Sequence, residues 1–305
     1  MGWWLRVCVC VCLCVAGSQA AAQAEETKSE ERPRNEKAFR SAVRRLSSED
    51  AQQRVAAADE MGRRGYRYRH EIAALLRPIL LKDPVSIVRA AAGRALGRLG
   101  AKEAVPELIA ALSDDSSDVR VVAAAALWRL PDPAAVPALL VCTEDKDATV
   151  REWCALALGV LGDKQAVPAM IRLLRDEKTA VRLSAIRSLG RIGDRAGIEP
   201  LMTYVQSRRP QLASEEVEEI ISAIASVRDP AAARALLDLL ERERSRTYRR
   251  LIVVALGQIG DKRALSVLRK LRAREADPAL LQALREAIGQ LEAGPRPQAA
   301  PTAKP

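Results

Sequence analysis

The chain has one histidine, His70, so a histidine-rich metal site is excluded and at most one imidazole is available for proton transfer. It stands in Arg67-Tyr68-Arg69-His70-Glu71, with no serine or cysteine nucleophile motif beside it. There is no Walker loop, no Gly-x-Gly-x-x-Gly, no Gly-x-Ser-x-Gly and no His-Glu-x-x-His, and the glycines occur singly. These residues point to no catalytic group, no metal and no cofactor. The chemistry that remains is recognition. Arg64, Tyr66, Arg67, Tyr68 and Arg69 interleave guanidinium and phenol, residue types that anchor binding sites. Arg242, Arg244, Arg246, Arg249 and Arg250, followed by Lys262, Arg263, Arg269, Lys270, Arg272 and Arg274, form a second basic stretch. Such clusters suit phosphates or acidic partners. They equally suit a solvated helix face, diluted here by Glu71, Glu241, Glu243 and Glu275. Trp128 and Trp153 are either local packing where a small residue has been lost or a partly exposed apolar hot spot.

The elements that position these residues are set by an internal repeat. Val88-Arg89, Val119-Arg120, Val150-Arg151 and Val181-Arg182 are spaced by 31 residues, as are Asp83, Asp114, Asp145 and Asp176, and Leu96, Leu127, Leu158 and Leu189. Each unit reads as two helices. Val181, Ala185, Leu189 and Ile192, with Val150, Cys154, Leu158 and Leu161 one unit earlier, fall on one helical face. Gly162-Asp163, Gly193-Asp194 or Pro131-Asp132 then stops the first helix, and Pro106, Pro137 and Pro168 open a shorter second one. Trp128 takes the glycine place of the Leu-Gly pairs that include Gly97, Gly159 and Gly190. The interval from Leu189 to Ile224 is 35, so about four residues are inserted around Ser207 to Leu212. The expected organisation is seven helix pairs near 48–83, 84–114, 115–145, 146–176, 177–207, 208–243 and 244–276, within a folded region of 35–293 that closes on a capping helix at 277–293. The core uses Ala, Leu, Val and Ile; aromatics are 3% of the chain and apolar residues 49%.

Residues 1–24 read as a cleaved signal peptide: Arg6, an apolar run from Val7 to Ala16, then Ala22-Gln23-Ala24, with Ser18-Gln19-Ala20 as an alternative cleavage site. The run is short for a membrane span. Residues 25–34 read as a disordered charged linker and 294–305 as a disordered Pro/Ala tail. Cleavage removes four of six cysteines and the single charge of Arg6, taking the net charge from +10 to +9. Cys142 and Cys154 remain. Counted from a turn near Asp145, they lie about three and nine residues along their helices, an axial stagger of roughly 9 Å. Adjacent helices are about 8–10 Å apart and a disulfide needs Cα atoms within about 7 Å, so the estimate favours two buried free thiols over a bridge.

The pattern Asp-x5-Arg, Leu-Gly-x-Ile-Gly-Asp and Val-Pro-x-Leu-Ile over residues 48–292 resembles the HEAT repeat, in the short bacterial form also described as HEAT-like repeats of phycobiliprotein lyases. The resemblance implies an all-α, right-handed superhelical solenoid of about seven stacked antiparallel helix pairs with N- and C-terminal capping helices. It also implies that Asp83, Arg89, Asp114, Arg120, Asp145, Arg151, Asp176 and Arg182 form a structural ladder between units. HEAT proteins are mostly scaffolds, so the expected function is non-enzymatic binding of a protein partner of unknown identity in the cell envelope, with the chain periplasmic or secreted. Binding of a polyanion or nucleic acid through the Arg-rich faces is the alternative, and export argues against it. A bilin-lyase-like enzyme is a third reading, with nothing in the residues marking a bilin pocket. Fold alone does not decide between them.

Overall fold

The computed structural model describes residues 36–208, 212–227 and 229–293, without the side chains of residues 64 and 66. The signal-peptide, linker and tail readings lie outside those residues. Everything regular among the described residues is helical. The helices are α1 (36–46), α2 (Ala51–Arg64), α3 (Arg69–Lys82), α4 (Ser86–Leu99), α5 (Val105–Ala111), α6 (Ser117–Arg129), α7 (Val136–Cys142) and α8 (Ala148–Leu161). They continue as α9 (Val167–Leu173), α10 (Thr179–Ile192), α11 (Ile198–Arg208), α12 (Ser214–Ser226), α13 (Pro230–Arg242), α14 (Arg246–Ile259), α15 (Leu265–Arg272) and α16 (Pro278–Ala293). They fall into two compact units, one ending at Ala101 and one beginning at Lys102.

In the first unit α4 packs against both α2 and α3, around Ile72, Leu76, Leu96 and Met61. Phe39 of α1 stacks on Tyr68 at 4.5 Å between ring centroids, and Arg45 of α1 pairs with Glu60 of α2. In the second unit the long first helices α6, α8, α10, α12, α14 and α16 pack in sequence, and each carries a second helix (α5, α7, α9, α11, α13 or α15) on its flank.

One repeat shows how the local sequence produces this. Asp147 caps α8 by accepting from the Thr149 and Val150 amides at 2.8 and 3.2 Å. Val150, Cys154 and Leu158 form its fully buried stripe, and removing a leucine of this kind from water contributes about 2–3 kcal/mol. Gly162 ends the helix at φ +67°, a left-handed conformation that a side chain disfavours. Asp163 caps the next turn through the Gln165 amide, and Pro168 sits in the first turn of α9.

The glycine one turn earlier has a different task. A Cβ on Gly159 would collide with Ser188 of α10, whose hydroxyl donates to the Ala155 carbonyl at 2.8 Å. A Cβ on Gly190 would lie 2.8 Å from the Cα of Ala223 on α12. These glycines lie inside helices and set the close approach of successive first helices.

Cys142 and Cys154 form a disulfide, with Cα atoms 6.0 Å apart, which corrects the expectation of free thiols. The stagger estimate treated the turn as a point. In the structure α7 ends at Cys142 itself, residues 143–147 belong to neither helix, and α8 begins only at Ala148. Asp147 is extended (φ −85°, ψ 125°), so the link carries the chain past the end of α7, and six residues of descent return Cys154 to the level of Cys142.

Candidate functional site

The arginine column is positioned by the Val-Arg step in the first turn of each first helix. Arg120 donates from Nε and Nη2 to the two carboxylate oxygens of Asp145 at 2.7 and 2.9 Å, and from Nη1 to the Asp114 carbonyl at 2.8 Å. Arg151 repeats this arrangement with Asp176 at 2.7 and 3.0 Å and the Asp145 carbonyl at 2.8 Å. In the first unit Arg54 holds Asp83 at 2.8 and 3.0 Å, and Arg89 donates to the Asp83 carbonyl at 2.9 Å. Asp114 accepts from the Ser116 amide at 2.9 Å. Each guanidinium therefore ties together the loop before its own helix and, at Arg54, Arg120 and Arg151, the aspartate that closes the same pair. Burial raises the Asp145 and Asp176 carboxyls, but the hydrogen bonds from Arg120 and Arg151, those from the Asp147 and Lys178 amides and the nearby positive charges together outweigh it and hold both below the usual carboxylate range.

At Arg182 the pattern changes. The next place in the aspartate column falls on Ser207, and α11 continues through it, eleven residues long where α5, α7 and α9 have seven. Arg182 instead donates from Nε to Glu216 of α12 and to the Tyr204 hydroxyl, both at 2.9 Å, and the Tyr204 hydroxyl donates to Glu216 at 2.7 Å. Glu216 is 1% exposed. Burial raises its carboxyl, yet Arg182, Tyr204 and the Ala213 amide hold it low. Burial and the neighbouring Glu216 push the Tyr204 phenol up.

Beside this replacement lies a cleft of about 1060 Å³ that sequence reading missed. It is lined by Pro200, Thr203 and Ser207 of α11, by Ala196 in the turn before it, by Ile171 of α9 and Leu174 just past its end, and by Arg175, Arg195 and Arg208. The sequence signal that could have found it is the inserted turn itself.

The candidate residues of the Arg/Tyr stretch run from the last residue of α2, Arg64, through a 3-10 turn over 65–68, to the first residue of α3, Arg69. Arg64 and Tyr66 are placed there by their backbone alone. Tyr68 is engaged by Phe39, Arg67 is exposed, and Arg69 lies 3.3 Å from His70. In the second basic stretch Arg249 pairs with Glu275 at 3.2 Å, Arg246 with Asp277 at 3.6 Å, Arg263 with Asp261 at 2.6 Å and Arg269 with Glu292 at 2.6 Å. Trp128 and Trp153 meet edge to face, with centroids 5.9 Å apart and planes at 70°. Both are half-buried, and the Trp128 Nε1 is buried without a hydrogen-bond partner. No cluster of three metal-ligating side chains occurs among the described residues. None of their helices is long and apolar enough to cross a membrane.

Stacked helix pairs, buried arginine bridges and close-packing glycines define a helical repeat protein. A family model described as HEAT repeats matches residues 39–126, 105–169, 142–220 and 216–289. The chain belongs to the HEAT-repeat family. None of the curated proteins matches it in sequence. Among solved structures it is similar to the Escherichia coli protein YibA, at 21% identity and a TM-score of 0.54 over 86% of this chain and 96% of that one. It is also similar to importin beta, at 16% identity and a TM-score of 0.57 over 86% of this chain and 41% of that one. The complex of CpcE and CpcF of phycocyanin lyase from a Nostoc species matches at 25% identity and a TM-score of 0.47, over 72% of this chain and 94% of that one. The first two likenesses are of fold.

Proposed function

We propose that this protein is a non-enzymatic scaffold that binds a protein partner along its repeats, in the cell envelope of the organism that exports it. One observation carries the reading. Among the described residues, every ionisable group displaced from its ordinary range is held by a neighbour that closes a loop or joins one helix to another. Asp145, Asp176 and Glu216 are held by arginines, Asp261 by Arg263, and Asp194 by the Ala196 amide and Lys164. Catalytic groups are displaced toward a reacting atom; these are displaced toward the fold. In the second basic stretch Arg246, Arg249, Arg263 and Arg269 are similarly engaged by carboxylates, which favours a protein partner over a polyanion.

Two features support export. Residues 1–24 have the layout of a signal peptide, and the bridge between Cys142 and Cys154 suits an oxidising compartment. The test is cross-linking of the tagged chain in cells, followed by capture from the envelope fraction at low and high salt. A discrete protein that survives high salt is the expected result. Recovery of polyanions alone, lost at high salt, would shift the reading to charge-driven binding.

A further inference from the structure

We infer that the cleft along α11 is a binding site for an extended acidic peptide segment of the partner, with two carboxylates about six residues apart. The inference rests on the scaffold reading and gives it a location and a ligand class.

The cleft exists because α11 runs about one turn longer than its counterparts, a projection of roughly 6 Å. That turn carries Ser207 and Arg208 outward, with Thr203 exposed on the same helix before it, while Tyr204 is buried and fixed by Arg182 and Glu216. The site is therefore built on a rigid element whose own polar groups are satisfied. The three arginines that line it are different. Arg175 is exposed and makes no ion pair among the described residues. Arg208 lies with its guanidinium carbon 5.8 Å from the Tyr204 ring centre, where a cation–π contact orients it without neutralising it. Arg195, 75% exposed, reaches Asp229 only at 4.0 Å. Of the two carboxylates in the lining, Asp194 is already matched by Lys164 at 3.3 Å, leaving Glu199 against three guanidiniums. Charge complementarity therefore asks for an anion.

The form of the anion follows from the rest of the lining. Ile171, Leu174, Ala196 and Pro200 provide apolar lining, and Thr203 and Ser207 provide hydroxyls. Glu199 would repel the evenly spaced phosphates of a nucleic acid strand, whereas a peptide can place an apolar or neutral residue over it. Arg195 opens the 3-10 turn before α11 and Arg208 closes the helix, about 20 Å apart along the chain axis. An extended chain covers about 3.3 Å per residue, so carboxylates that reach both arginines are about six residues apart.

The experiment is selection of a random peptide display library on the purified full chain and on its R175E/R195E/R208E variant, with single-stranded (dT)20 as a second probe. Circular dichroism confirms that the variant keeps its helices, and R175Q/R208Q replaces it if the charge reversal perturbs folding. The expected result is enrichment of peptides with paired acidic residues at that spacing, with affinity falling by about tenfold per arginine removed. Non-acidic peptides, or acidic peptides retained by the variant, would overturn the site and leave the scaffold reading intact. Binding of (dT)20 that the variant abolishes, without acidic peptides, would replace the ligand class. An empty selection overturns the cleft alone if cross-linking in cells still captures a protein, and the scaffold reading with it if cross-linking captures none.

Discussion

Arg151 and Arg182 occupy the same place in successive repeats, yet their anionic partners come from different parts of the chain. Arg151 meets Asp176, 25 residues ahead at the end of the following short helix. Arg182 meets Glu216, 34 residues ahead in the first turn of the next long helix, with Tyr204 as a second acceptor. In both regions the guanidinium also accepts responsibility for two loop carbonyls, Asp145 and Lys146 in one and Asp176 and Glu177 in the other. What the repeat conserves from one region to the next is the satisfaction of a buried cation, and the residue that supplies it is free to change. The irregular region gains a cleft as a by-product of the change.

The comparison can be broken in graded ways. Leu158→Asp places a charge with no partner at a fully buried position between the two regions, and should cost more than about 4 kcal/mol. Its circular-dichroism melt should show loss of the middle repeats, and an unchanged melt would refute the core described here. Arg182→Ala should cost about 3 kcal/mol, because it removes the cation facing a carboxylate that is 1% exposed and leaves it only the Tyr204 hydroxyl and the Ala213 amide. Arg151→Ala should cost about 2 kcal/mol, since the Asp176 it releases still accepts from the Lys178 amide at 2.9 Å. Urea titrations that return equal losses would remove the distinction drawn between the regions.

Reduction of the Cys142–Cys154 bridge, which closes a 12-residue separation, should lower stability by about 2–3 kcal/mol. Mass spectrometry of the alkylated protein with and without reductant reports the bridge directly. The smallest effect is that of acid. Asp145, Asp176 and Glu216 have folded-state values below their unfolded ones. Their contribution is complete above the ordinary carboxylate range near pH 4 and disappears as pH falls through the lower folded values. Melting temperature should therefore be level from neutral pH to about pH 5 and decline below about pH 4. The Arg151→Ala protein should lose less in acid, having already lost the Asp176 share.

Much of the fold could be read from spacing. Columns such as Val150-Arg151 and Leu158 mark one helix face by residue type alone, and Gly162-Asp163 announces both a helix end and the next cap. The bridge could not be read, because it depends on how a five-residue link rises between helices, a path that residue counting reduces to a point. Glu216 was equally hidden. Ser207 shows that the aspartate column is interrupted, but no rule of spacing says that a glutamate nine residues later takes over. Tyr68 illustrates the opposite difficulty: the motif singled it out for binding, and the structure places it against Phe39.

The arginine bridges also bear on how such a chain can change length. Arg120–Asp145 and Arg151–Asp176 both span 25 residues. Excising residues 121–151, one whole period, would put Arg120 where Arg151 stood, facing Asp176 as before. A cut of any other length would leave a guanidinium buried opposite the wrong residue. Gains and losses of sequence are thus filtered into multiples of the period, except where a long-reaching acid such as Glu216 tolerates the misfit. Repeats here can be added or removed only as whole modules, and the inserted turn of α11 is the one described place where the chain holds a fraction of a period.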